Sequence, residues 1–95
     1  MNSVSHIDIA NCNGIRFAKT EVLSSTAQKV ERRHHLLRAM LLNYAEHQPV
    51  NILFKNQQGH LFEIECAVIA VTDEHVMLKS GIILPVPSIV LIELL

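Results

Sequence analysis

Two hydrophobic periods divide the chain, and they meet at Pro49. From residue 27 to residue 47 there is neither Gly nor Pro, and apolar side chains recur at intervals of three and four. This spacing predicts an amphipathic helix with one face turned towards the core. The residues expected on that face are Val30, His34, Leu37, Leu41 and Tyr44.

The predicted helix has recognisable signals at both ends. Ser25 and Gln28 match a capping box, in which the two residues satisfy free amide groups of the first turn. Pro49 disfavours the helical conformation in the residue before it, so the helix is predicted over residues 24–48. Its second half, residues 36–42, is apolar almost all round. We therefore expect that half to be covered on more than one side, by the sheet and by a partner or the N-terminal arm.

After Pro49 the period changes to two, which is typical of strands with one buried face. Strands are predicted over residues 50–55, 62–72, 75–79, 82–84 and 89–94, with a corner at residues 85–88. The second strand becomes apolar on both faces, so we expect it to bend and to serve two layers of sheet. The inward side should carry Ile52, Phe54, Ile64 and Val68.

These elements predict a single α+β domain over residues 1–95. Its N-terminal helix is followed by a strongly bent, five-stranded antiparallel sheet over residues 50–95 that closes into a small barrel. Residues 1–23 are expected to form an N-terminal arm or hairpin. A chain of 95 residues has room for one hydrophobic core of this kind.

Composition adds a reason to expect a partner. Hydrophobic residues make up 49% of the chain, which is high for a domain whose surface is mostly solvated. The net charge is only −1, but it is unevenly distributed. Residues 15–59 carry seven Lys and Arg against three Glu, whereas residues 60–95 carry one Lys against five Asp and Glu. We expect the basic and acidic halves to contact each other, within or between subunits.

The two cysteines and the apolar C-terminus indicate a cytoplasmic protein without a membrane anchor. Cys12 and Cys66 are too few for a disulfide framework and lack the spacing of a zinc or redox motif, so reduced thiols are expected. The first ten residues do not read as a signal peptide. The apolar run 82–95 contains Pro85 and Pro87 and is too short to cross a bilayer as a helix.

The order of a helix, five short strands and a corner before the last strand resembles the Sm-like and SH3-like small β-barrels. The matching segments are residues 50–54, 62–72, 76–78 and 82–92, with Gly59 and Gly81 at turns. Within that group the chain looks most like small bacterial proteins of the Rho-binding-antiterminator type. The resemblance implies a barrel that binds RNA, proline-rich peptides or other proteins, often as a ring or dimer. Residues 79–82 carry one charge, however, and lack the segment with which Sm proteins hold uridine.

No catalytic function is predicted from the side chains available. Glu63 and Glu65 alternate with apolar residues and are expected on the solvated side of a strand, while Cys66 should be a buried small hydrophobe. His34 and His35 project about 100° apart on a helix, so they cannot hold one ion together. No metal or other cofactor is expected, and a histidine-based metal site is only a remote third alternative.

Binding of nucleic acid is an alternative function, carried by a basic helix face with the residues Lys29, Arg32, Arg33 and Arg38. Barrels that bind single strands usually add exposed aromatic rings for base stacking. Here all four aromatic residues are predicted to face inward: Phe17, Tyr44, Phe54 and Phe62. Nucleic acid is therefore not the favoured partner.

The C-terminal strands point instead to association with protein. Their apolar residues show little alternation, and an apolar edge strand needs to be paired or covered. The residues predicted to form the interaction surface are Ile83, Leu84, Val90, Leu91 and Leu94. The sequence thus favours a noncatalytic protein-interaction or regulatory module that forms a homodimer and binds a further protein partner by a sheet edge or groove.

Overall fold

The computed structural model describes residues 4–94 of the chain. These residues contain one α-helix, seven short strands and two 3₁₀ segments. Residues 1–3 and 95 of the predicted ranges lie outside the described residues. In chain order the elements are β1 (Val4–His6), a 3₁₀ helix (Ile9–Gly14), α1 (Thr26–Glu46), β2 (Val50–Lys55), β3 (Leu61–Cys66), β4 (Val68–Val71), β5 (His75–Leu78), β6 (Ile83–Pro85), a second 3₁₀ turn (Val86–Ser88) and β7 (Ile89–Leu94).

The strands of the described residues form two sheets. One has four strands in the order β1-β3-β2-β7, and the other has three antiparallel strands in the order β4-β5-β6. The predicted five-stranded sheet closed into a barrel is therefore wrong. The predicted long strand is interrupted at Ala67. Its first part is β3 in one sheet, and its second part is β4 in the other. The expectation that this segment serves two layers is confirmed.

The N-terminal arm adds a strand of its own, so α1 is not the first element. β1 pairs in parallel with β3, with Val4 opposite Leu61, rather than forming a hairpin within residues 4–23. Two side-chain contacts hold β1 in place: Ser5 Oγ lies 2.8 Å from His60 Nε2, and His6 Nδ1 lies 2.7 Å from a Glu63 carboxylate oxygen. Partners so distant in sequence leave no local signal.

The helix begins and ends close to its predicted limits. Ser25 is the N-cap, and its hydroxyl oxygen accepts a 3.4 Å hydrogen bond from the amide of Gln28. His47 follows the last turn with φ of 54°, a left-handed conformation that ends the helix, and its amide donates to the Asn43 carbonyl. The predicted range 24–48 is two residues too long at each end.

The core lies between the two sheets and α1, which packs against β4 of one sheet and β7 of the other. The four residues predicted to face inward from the strands are at most 1% exposed, so the period-two prediction is confirmed. The largest fully buried apolar side chains are Leu36, Val50, Ile52, Phe54, Ile64, Val68, Val76, Leu78, Leu84 and Ile89.

Candidate functional site

The helix is rotated away from its predicted orientation. Of the residues expected on its core face, Val30 is 64% exposed, Leu37 40%, Leu41 64% and Tyr44 87%, and His34 is also exposed. The predicted core face is therefore wrong. The buried residues are on another side of the helix and are Arg32, Leu36 and Ala39.

A partly buried ion pair holds the helix in this rotation. The Arg32 side chain is 6% exposed, and its two terminal nitrogens donate to both carboxylate oxygens of Glu21 at 2.7 and 2.6 Å. Arg32 Nη1 also donates to the Ile89 carbonyl at 2.9 Å, at the start of β7. A planar guanidinium suits such bidentate pairing, so Arg32 can lie on the buried side of α1.

Glu21 is held in its ionised form by the same contacts. The hydrogen bonds from Arg32 are the main cause that lowers the pKa of the Glu21 carboxyl, and the Leu23 amide adds a 3.0 Å bond in the same direction. The pair joins three parts of the chain: the segment before the helix, the helix itself and the edge strand β7.

The predicted nucleic-acid residues do not form one free basic surface. Arg32 is buried, and Arg33 donates to the Thr72 carbonyl at 2.8 Å and pairs with Asp73 at 3.2 Å. Lys29 and Arg38 remain exposed. The Arg33–Asp73 pair is an intramolecular contact between the basic and acidic halves, as the charge distribution predicted.

The predicted protein-interaction residues lie on two edge strands rather than on one surface. Leu84 is fully buried in the core, so its assignment to an exposed surface is wrong. Ile83 on β6 is 49% exposed, and Leu91 on β7 is 41% exposed. Val90 and Leu94 are half-buried. β6 and β7 are edges of different sheets, which separates these side chains.

Both edge strands carry features that limit further pairing. The Ile89 carbonyl of β7 is already occupied by Arg32, and the cleft of about 200 Å³ between β7 and α1 is lined by Glu31 and His35. β6 has only three residues and ends in Pro85. Short edges, prolines and covering elements are common means of preventing association between sheets.

The exposed helix face is the more continuous apolar surface. We call Val30, His34, Leu37, Leu41 and Tyr44 the helix seam. Their spacing of four, three, four and three residues places them within about 80° of the helix circumference. The hydrophobic period correctly places these residues on one face of the helix. It does not show which face is buried, because the buried face contains the charged residue Arg32.

The two thiols are unsuited to nucleophilic chemistry. Cys12 and Cys66 are free and buried. Burial raises the pKa of the Cys12 thiol, and it raises that of Cys66 to about 12. Both groups are therefore protonated at neutral pH, whereas the thiolate is the reactive form.

We expect these thiols to react at least about a hundredfold more slowly with an aromatic disulfide reagent in the folded protein than in urea. The measurement is the release of the coloured thiol at mildly alkaline pH, with the urea-unfolded chain as the control. Rapid reaction of one equivalent in the folded protein would show that a cysteine is accessible and activated.

Neither a metal site nor a membrane-spanning helix is found in the part of the chain that the structure describes. Among residues 4–94 no group of three His, Cys, Asp or Glu side chains could hold an ion. Within the same range no helix combines the length and the hydropathy needed to cross a bilayer.

Comparison with known proteins gives no relative from which a role could be transferred. No family model, no curated protein and no solved structure matches the chain. The resemblance to Sm-like and SH3-like barrels stays a prediction, and function has to be argued from the surface of the molecule itself.

Proposed function

We propose that this chain is a noncatalytic protein-interaction module that associates with itself as a dimer. The observation that carries the proposal is the helix seam, in which four large apolar side chains are exposed in register on one rigid helix. Single exposed apolar residues are ordinary on protein surfaces, but a contiguous apolar stripe marks an interaction site.

The energetics favour covering this stripe. Complete burial of a Val, Leu or aromatic side chain contributes about 1.5–3 kcal/mol. Four such residues supply enough free energy to offset part of the entropy lost on association. Residues 36–42 were predicted to be covered on more than one side. Within residues 4–94 no element covers Leu37 and Leu41, which are exposed.

Protonated thiols and the pairing of Glu63 support a noncatalytic role. The raised pKa of the Cys66 thiol removes the strongest candidate nucleophile, and Glu63 is engaged by His6. Free cysteines suit a reducing compartment, so we place the module in the cytoplasm.

Light scattering coupled to size-exclusion chromatography tests the proposal. We expect a mass that rises with concentration towards twice the 10.7 kDa of one chain. The useful range is about 1 to 200 µM, which corresponds to free energies of association between about −8 and −5 kcal/mol. A constant mass of 10.7 kDa over that range would contradict self-association.

A further inference from the structure

We infer that two copies of the chain pair through α1 as an antiparallel two-helix coiled coil, with Glu31 of each copy facing Arg38 of the other. The inference rests on the proposed self-association and adds the surface and the orientation. It is carried by the spacing of the helix seam, the exposure of its residues and the charges beside it.

The seam has the repeat that coiled coils require. Alternating intervals of four and three residues give the 3.5-residue period at which two helices stay in contact along their length. In heptad terms Val30, Leu37 and Tyr44 are at d positions, and His34 and Leu41 are at a positions. α1 has 21 residues and is about 31 Å long, enough for three heptads.

In an antiparallel arrangement, seam residues of different size lie opposite each other. Each a position then lies against a d position of the second copy, so Leu41 contacts Val30 and Leu37 contacts His34. The next layer places the large ring of Tyr44 over the small side chain of Ala27, which is exposed at the a position one heptad before His34. By symmetry each contact occurs twice.

Charges beside the seam select this orientation. Glu31 and Arg38 are exposed at e positions on the same flank, and neither has an ion-pair partner within residues 4–94. In an antiparallel pair, e positions face e positions, so two Glu31–Arg38 contacts form between the copies. In a parallel pair Arg33 would face Arg38 twice, which is repulsive.

The side of the helix that packs on the sheets is opposite the seam. Arg32 and Ala39, both buried against the sheets, are at f positions, on the side of the helix opposite the seam. Each domain therefore lies on the outer side of its own helix, and the two helices meet between them. The arrangement does not use the edge of β6.

Charge reversal tests the orientation directly. Sedimentation equilibrium would compare the wild type with E31R, R38E, the double variant E31R/R38E and an equimolar mixture of the two single variants. Each single variant should weaken the dimer about tenfold or more, because two attractive contacts become two repulsive ones. The double variant and the mixture should both recover most of the wild-type affinity, since opposite charges again meet across the seam.

Two further variants provide controls. Leu41→Asp places a charge in the seam and should abolish association, whereas Ile83→Lys on β6, an edge of the other sheet, should leave it unchanged. Because both side chains are at least 49% exposed, neither change is expected to unfold the domain, which thermal unfolding by circular dichroism would verify.

The outcomes separate this inference from the proposed function. Tighter association of R38E would indicate a parallel pair and overturn the orientation. A wild-type dimer that is unaffected by E31R, R38E and L41D but lost in I83K would overturn the helix interface and leave self-association standing. A wild-type protein that stays monomeric would overturn both.

Discussion

Leu36→Ala is expected to lower the free energy of unfolding by about 2–5 kcal/mol, whereas Leu37→Ala should lower it by less than about 1 kcal/mol. The two leucines are adjacent in sequence, so helix propensity and local context are closely matched. Leu36 is fully buried between α1 and the sheets, and its truncation leaves a cavity, while Leu37 is 40% exposed on the helix seam. Urea titration followed by far-ultraviolet circular dichroism measures both values.

The comparison has to be made at protein concentrations below the dissociation constant, because association stabilises the folded state by mass action. At higher concentration Leu37→Ala should lose the concentration dependence of stability that the wild type shows. If Leu37→Ala were the more damaging change at low concentration, α1 would be rotated as its hydrophobic period alone suggests, and the helix seam would be buried.

Much of the secondary structure could be predicted from the sequence because its signals are local. Alternation after Pro49 marks the strand segments, and Ser25 marks the start of α1 with its own side chain. Burial of Ile52 and Phe54 follows from period two, since a slip by one residue would turn both side chains to the other face.

The face of α1 could not be predicted, because the deciding residue breaks the usual rule about burial. Arginine is almost never fully buried unless it is paired. The partners of Arg32 are Glu21, eleven residues earlier and outside the helix, and the carbonyl of Ile89, 57 residues later. A hydrophobic period predicts that the face with Val30, Leu37 and Leu41 is buried, because the other face contains a charge. In the structure the face that contains the charge is the buried one.

The arrangement of the sheets was equally hidden from local patterns. The break at Ala67 moves the chain from one sheet to the other within a segment whose alternation looks continuous. The parallel pairing of β1 with β3 joins residues more than 50 positions apart. Only a global comparison of strand pairings could distinguish two open sheets from a single bent one.

The difference between the predicted and the observed buried face of α1 identifies the candidate interface. A heptad spacing is compatible with packing on the protein's own sheets or on a second helix, and sequence alone does not distinguish the two. Once Arg32 and Leu36 occupy the side facing the sheets, the seam is left for a partner. The same residues that were predicted to fill the core therefore become the interaction surface.

Breaking the ion pair beneath the helix is the second large effect we expect. Glu21→Leu should lower the free energy of unfolding by about 3 kcal/mol, because it leaves the Arg32 guanidinium buried without its countercharge. The value is at the lower end for such pairs since the Glu21 side chain is 30% exposed and water can reach Arg32 in its place. The double variant E21L/R32M should be less destabilised than E21L alone, because it removes both charges together.

The effect of Glu21→Leu should also depend on pH in a defined direction. The pKa of the Glu21 carboxyl is lower in the folded protein than in the unfolded chain, so ionisation stabilises the fold. This contribution is complete above the unfolded pKa of about 4 and disappears as the pH falls through the folded value. Urea titrations of the wild type and E21L from neutral pH to about pH 3 should therefore converge on acidification. A difference that stays constant or widens towards acid would show that the ion pair does not set the stability of this part of the fold.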